Sequence, residues 1–400
     1  VRTTLARIAE EIPLEVPEVP TGTPVFDWTV PKEWNLERAW IRGPGGETVV
    51  DTENSHLHVV GYSVPVRRTM TLEELRPHLH TLPEHPDRIP YRTSYYRETW
   101  GFCLRHRTLE ALEEGEYEVG VDATLEGGHM TWGECFLPGA TEDEVLVSTH
   151  ICHPTLCNDN LSGLTVATEL ARALAEDEGR HYGYRFLFIP GTIGSITWLA
   201  LNEARTDRIA HGLVLTGVGD RGAVTWKRTR AGDAEIDRAV EHVLRTSGRA
   251  HQVRDFSPYG YDERQYGSPG FRLPVGCLMR TPHGEYDEYH TSADDLDFVA
   301  PEALADSYRV CRQAFRVLEE NRTYRNLNPK CEPQLGRRGV YRMTGGSSLP
   351  GLENAMLWVL SFSDGSMSLL DIAERAGLPF RVVAEAARTL ESVGLLEVAS

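Results

Sequence analysis

The stretch EVLVSTHICHPTLCNDNLSGLTVATELARALAE, residues 144–176, decides the fold. EVLVST (144–149) is an apolar run of the length of a short buried strand, and LSGLTVATELARALAE (161–176) repeats its apolar residues at helical spacing behind Asn160. Strand, polar loop and helix then recur. YRFLFIP (184–190) predicts a second strand with a helix near 196–205 after it. GLVLTGV (212–218) predicts a third strand, and AEIDRAVEHVLRTSG (234–248) a helix stopped by Gly248. LPVGCLM (273–279) predicts a fourth strand and 301–321 a closing helix. Such alternation implies an α/β sheet with helices on both faces. Sites in these sheets form on the loops that leave the carboxyl ends of the strands.

That is where the chemistry-bearing residues fall. His150 and His153 follow the first strand directly, and Asp159 lies on the loop that opens the next helix. Imidazole and carboxylate both suit zinc. Asn158, Asn160 and Ser162 offer hydrogen bonds that would orient the ligands. A single histidine here would be read as a polar loop residue beside a helix cap, but HxxH with an aspartate six residues on reads as a metal site. EYDEYHTSADDLDF follows the fourth strand and places His290 on the same sheet edge, with Asp294 expected to orient its far nitrogen.

Outward from this core, residues 1–30 read as a short helix and a proline-punctuated arm. From Trp34 to Cys103 short β-like stretches end in Gly and Pro, with Thr71 and Glu74 spaced as a capping box. PYRTSYYRETWGFCL (90–104) is dense in aromatics and reads as a packed β layer or as a substrate wall. From about residue 340 the text becomes helix, turn, helix, turn, helix and a short strand. Leu369–Ala376, Gly377 and Phe380–Val393 match a helix-turn-helix with the start of a wing. Residues 351–400 hold seven acids against three arginines, the wrong balance for phosphate contact. A winged helix used for packing or protein contact is the expectation.

Composition bounds the rest. Of the 400 residues 40% are hydrophobic and 25% charged, enough for a core and against a disordered chain. A formal net charge of −18 repels nucleic acid and anionic membrane, so neither is expected as a partner. No apolar run reaches the roughly 18–20 residues of a membrane helix. VRTTLARIAEEIPLEVPEVP lacks the apolar centre of a signal peptide, and the seven cysteines form no CxxC pair. Reduced thiols in a cytoplasm are expected.

STHICHPTLCNDNLSG, FLFIPGTIGSITWL, YDERQYGSPG and EYHTSADDLDF together resemble the bacterial aminopeptidase-like proteins, once called a domain of unknown function. Those proteins are associated with polysaccharide and natural-product biosynthesis and are distant relatives of the co-catalytic zinc aminopeptidases. The resemblance extends to PYRTSYYRETWGFCL and SDGSMSLLDIAERAGLPF, so it spans nearly the whole chain. It implies a three-layer α/β/α zinc-aminopeptidase-like fold over residues 1–30 and 111–335, an inserted β domain over 31–110 and a winged helix over 340–400.

It also implies ligands. His150 or its neighbour His153, Asp159 and His290 match the metal positions, while the glutamate pair of the two-zinc relatives falls on Gly191 and Thr192. A further carboxylate ligand falls near Gly217, with Asp220 close by. Three or four ligands suit one zinc per chain with an open position. With Gly191 where a general-base glutamate is expected, the base must come from Glu263, ranked first, or from Asp262, Glu288 or Asp220. A salt bridge from Glu263 to Arg264 or Arg280 is the plainer reading of that residue. Arg264, Tyr266, Arg280 and Tyr289 are the candidate substrate contacts. The expected function is zinc-dependent hydrolysis of an amide in a peptide or small aminoacyl conjugate. The alternatives are a zinc-binding assembly protein, or Lewis-acid acyl transfer or cyclisation. A second copy of the chain, met through the winged helix, is the expected protein partner.

Overall fold

The computed structural model describes residues 1–95, 97–340 and 351–399. Tyr96 of the aromatic stretch and residues 341–350, at the expected start of the C-terminal unit, lie outside the described residues. The central sheet has seven strands: β1 Gly133–Leu137, β2 Glu144–His150, β3 Gly183–Ile189, β4 Ile209–Leu215, β5 Val224–Lys227, β6 His251–Arg254 and β7 Val275–Met279. Their order is β1-β3-β2-β4-β7-β5-β6. β2, β3, β4 and β7 are mutually parallel, β1 is antiparallel to β3, and β5 is antiparallel to β7. Every residue of β2 and β3 is buried, because helices cover both faces, and this is why both read as continuous apolar runs.

Helices α1 Gly163–Ala175, α2 Ile193–Asn202, α3 Glu235–Thr246 and α4 Pro301–Glu320 supply those layers. Val145, Val147, Phe186 and Phe188 face the core shared with α1, α3 and α4. The alternate residues Leu146, Leu187 and Ile189 face the core shared with α2. The three strands that the sequence does not announce are β1, β5 and β6. They are short, and β5 carries Lys227 in its four residues.

The inserted unit is an antiparallel sheet in the order Thr48–Asp51, Glu33–Arg42, Glu116–Glu126, Val66–Thr71. Glu116–Glu126 therefore lies beyond the boundary expected at residue 110. It is held in the insert because Tyr117, Val119 and Val121 bury with Ala39, Ile41 and Val50. The Thr71–Glu74 capping box forms as expected.

The C-terminal unit begins earlier than residue 340. Thr323–Asn326 pairs with Asp364–Ser368 and Leu396–Val398, closing a small sheet around α5 Leu352–Phe362, α6 Leu369–Ala376 and α7 Phe380–Ser392. Its apolar residues, including Leu370, Phe380, Val383 and Leu390, merge into the same buried cluster as α3 and α4. Polar ties surround the seam. Arg238 of α3 pairs with Asp371 and Glu374, Arg388 of α7 with Glu320 of α4, and Asn321 accepts from the Leu370 amide.

His242 of α3, buried, accepts the Phe380 N–H at Nε2 (3.1 Å), a bond that needs the neutral ring. Burial pushes this imidazole down to about 4; Arg245 and Arg238 push the same way, and Glu374 opposes them. Protons bind the unfolded chain below pH 6.5 but the folded one only near 4, so docking stability is complete above 6.5 and falls as pH drops through that window. His242→Gln, which keeps an acceptor without titrating, is expected to flatten the fall in melting temperature between pH 6.5 and 4. Equal slopes in the two proteins would remove His242 from the account.

Candidate metal centre

β2 ends in His150, and the chain turns through His153 into the irregular turn Cys157–Ser162 before α1. Asp159 is the centre of the site. His150 Nε2 lies 2.7 Å and His153 Nδ1 3.3 Å from Asp159 Oδ1, and His290 Nε2 lies 3.1 Å from Asp159 Oδ2. His150 and Asp159 are buried, whereas the His290 side chain is 33% exposed and meets solvent. Burial pushes His150 down to about 4, so its ring is neutral. Burial opposes charge on Asp159, yet His153, His150 and His290 hold its carboxyl well below the ordinary range. A neutral His150 beside an ionised Asp159 is the state in which such residues bind a metal.

The turn is pinned by its own asparagines and serine. Asn160 Nδ2 donates to Thr149 Oγ1 and its Oδ1 accepts from Gly217; Asn158 accepts from Gly219; Ser162 Oγ accepts from Val218. Asp294 accepts the backbone N–H groups of Asn158 and Asp159, at 2.5 and 2.9 Å. It thus fixes the Asp159 loop and does not orient His290 as expected. His290 has a left-handed backbone, φ 54°, which costs a non-glycine residue about 1–2 kcal/mol. The inserted unit holds it there: the Tyr91 amide donates to the His290 carbonyl (2.7 Å), and Pro90 bridges Thr291.

Whether these residues fit a metal is tested by their unpaired atoms. Asp159 Oδ2 and His290 Nε2 are both inaccessible to solvent, face one another, and lack hydrogen-bond alignment. Such atoms are costly without a partner. A cation among nitrogen and oxygen donors would satisfy them, and His150, His153 and Asp159 present ligand atoms all within 4.8 Å of one another. The residues fit, and both neighbouring histidines reach the carboxylate.

The carboxylates expected to act as base are engaged elsewhere. Glu263 is fully buried in an ion pair with Lys227 (2.7 Å), neither arginine being its partner, and accepts the Tyr261 amide. Asp262 accepts from Ser195 Oγ in the interior, where burial pushes its carboxyl up to about 7. Glu288 pairs with Arg88 of the inserted unit, and Asp220 binds Thr281, Gly222 and Asn158. Nor do three of the four expected substrate contacts reach the site. Tyr266 is buried against Ser148, Arg280 is consumed by the Gly222 and Ala303 carbonyls and Asp306, and Arg264 donates to the Pro258 carbonyl. The exception is Tyr289, which stacks on His290 with ring centroids 3.9 Å apart.

Four neighbours complete the surroundings, of which the sequence offers only Tyr261, as one of several loop aromatics able to hold a carboxylate or flat ring. The Tyr91 ring meets His153 and His290, both at 5.0 Å. The Tyr261 ring lies 4.0 Å from His150, with its hydroxyl 3.2 Å from Cys152 Sγ. His283, half-buried close by, lies 3.4 Å from Thr216 Oγ1. Tyr91 and Tyr261 sit in the stretches 90–104 and 261–270, where among many aromatics nothing in the sequence ranks them; His283 lies between the fourth-strand stretch and the His290 stretch and carries no signal of its own.

Comparison with known proteins agrees with this architecture. Residues 1–321 match the family described as a domain of unknown function, DUF4910, and residues 322–398 match a winged helix-turn-helix family. A Clostridium acetobutylicum protein named for polysaccharide biosynthesis and an aminopeptidase-like domain is 54% identical over 399 residues, covering 100% of this chain and 92% of the relative. A crystal structure from the same organism, named as a peptidase, superimposes with a TM-score of 0.95 at 52% identity, covering 100% of this chain and 91% of that one. A zinc aminopeptidase from Bacillus subtilis shares the fold at a TM-score of 0.58 and 14% identity, over 79% of this chain and 88% of that one. With the family matched over most of its length and a close relative matched along all of it, the chain belongs to the DUF4910 family, an aminopeptidase-like domain followed by a winged helix.

Proposed function

We propose that this chain is a zinc-dependent enzyme of aminopeptidase type that acts on an amide carbonyl of a small or peptide-like substrate in a cytoplasmic biosynthetic route. The observation that carries this reading is Asp159, buried and ringed by His150, His153 and His290, with the facing Oδ2 and Nε2 atoms 3.1 Å apart but without hydrogen-bond alignment. His150, His153 and Asp159 would hold the ion, with His290 at the second carboxylate oxygen. Bound zinc supplies a Lewis acid that polarises a carbonyl and lowers the pKa of water. The protein's own residues then orient and shield: Asp294 fixes the Asp159 loop, and Tyr91 and Tyr289 pack the His290 ring. The relatives' names for peptidase activity and polysaccharide biosynthesis support the reaction class and the biosynthetic setting.

A second reading has its own observation. Gly191 offers no side chain, and Glu263, Asp262, Glu288 and Asp220 are all engaged, so none of the four is a free base. Acyl transfer or cyclisation, in which the nucleophile belongs to the substrate, makes less demand on such a base. A protein that only binds and assembles is the limiting case. Neither nucleic acid nor membrane is among the proposed partners. The acidic C-terminal unit has its apolar helices packed inward, and among the described residues no helix is long and apolar enough to cross a membrane.

Elemental analysis of the full chain purified with zinc supplied tests the metal. About one zinc per chain is expected, with affinity lowered at least about a hundredfold in Asp159→Ala, since even residues behind the ligands are worth 10–100-fold. No zinc in the parent protein sinks the reading. With zinc present, release of amine from aminoacyl amides supports hydrolysis, and its absence moves the weight to transfer.

A further inference from the structure

We propose that Tyr261 is the residue that binds the substrate's carbonyl or oxyanion oxygen at this centre, in the volume that the missing side chain at Gly191 leaves open. A Cβ built on Gly191 would overlap Tyr261 Cε1 and lie 2.6 Å from Cζ and 2.7 Å from Oη. Real Cβ atoms do not approach so closely, so a side chain at 191 and the ring at 261 exclude one another. In this chain the phenol has the space. Its ring lies against His150 at 4.0 Å, and the residue keeps part of its surface exposed, unlike fully buried Tyr266.

The hydroxyl is held but not committed. Its neighbour is Cys152 Sγ at 3.2 Å, and that thiol also lies 3.8 Å from the Gly191 carbonyl. With the S–H directed at the carbonyl, the phenol O–H points at sulfur, which is a weak acceptor. Exchange of that partner for a polarised carbonyl or an oxyanion gains hydrogen-bond energy, because bonds to charged oxygen are the stronger class. The backbone beneath is fixed. The Tyr261 amide donates to Glu263 Oε2, and Glu263 is pinned by Lys227, so the buried ion pair serves to place the ring. Donors fixed in advance are what stabilise developing charge.

The inference rests on metal binding as proposed above, and the experiment separates the two. The full chain and Tyr261→Phe, which keeps the ring and loses only the hydroxyl, are loaded with Co²⁺ and titrated with acetohydroxamate, read from the visible cobalt band. Both proteins are expected to take up the same amount of Co²⁺ and to melt at the same temperature. The acetohydroxamate Kd of the variant is expected to rise about tenfold or more, the size of one lost hydrogen bond. Equal Kd values with cobalt bound in both overturn the role of Tyr261 and leave the metal reading intact. No cobalt in the parent chain overturns both. A cobalt content that falls in Tyr261→Phe alone would make the hydroxyl a support of the ligands and overturn the proposal.

Discussion

A chain ending at Asn321 is expected to be recovered as aggregate, or to melt without a cooperative transition, although its boundary coincides with the end of the DUF4910 match. The apolar residues of α6 and α7 belong to one buried cluster with those of α3 and α4, so removing the winged helix uncovers core, not surface. Each side chain of valine or leucine size loses about 1.5–3 kcal/mol on returning to water. Uncovering a handful therefore cancels the ~5–15 kcal/mol that holds a domain together. Arg238 would also lose Asp371 and Glu374, and His242 the Phe380 N–H. Soluble yield and thermal denaturation of the truncated and full chains check this. A soluble monomer melting with the full chain would show the winged helix to be a passenger.

Gly191→Glu alone is expected to destabilise the protein by about 1–3 kcal/mol, the range for overpacking, and to yield no new base. The reason is Tyr261, whose ring stands where the new side chain must go. Gly191→Glu combined with Tyr261→Ser is expected to recover much of the loss, with a coupling of about 1–3 kcal/mol between the two positions. Urea denaturation of the two single variants and the double variant measures the coupling. Additive effects would mean that the two residues do not share a volume. If the double variant gains amide hydrolysis while neither single one does, the present pocket is configured for chemistry other than water attack.

The parts of this molecule legible in the sequence are those whose physics is local. β2 and β3 announce themselves because both faces are buried, and α1 because one face is apolar. His150, His153 and Asp159 lie within ten residues of one another on a strand end and the loop that follows, and His290 is recovered from its place after β7. The base candidates fail for the opposite reason. Lys227, Ser195 and Arg88, which engage Glu263, Asp262 and Glu288, are far away in the chain, and no spacing rule connects them. Asp294 reads from sequence as a partner of His290 because backbone amides, its actual donors, leave no trace there. Gly191 is visible as a departure, yet what fills its space comes from seventy residues further on. The short strands β5 and β6, at one end of the sheet, show no period to read.

The clasp between the inserted unit and the His290 loop alters how inherited variation in this protein should be understood. Arg88, Pro90 and Tyr91 grip residues 287–292 through side chain, bridge and amide together. Two segments almost two hundred positions apart are thus joined mostly through main-chain atoms, which tolerate substitution, and are coupled in sequence only where side chains meet, at Arg88–Glu288 and Tyr91–His290. A recombinant that takes its insert from one lineage and its sheet from another keeps the main-chain grip and puts only those two pairs at risk.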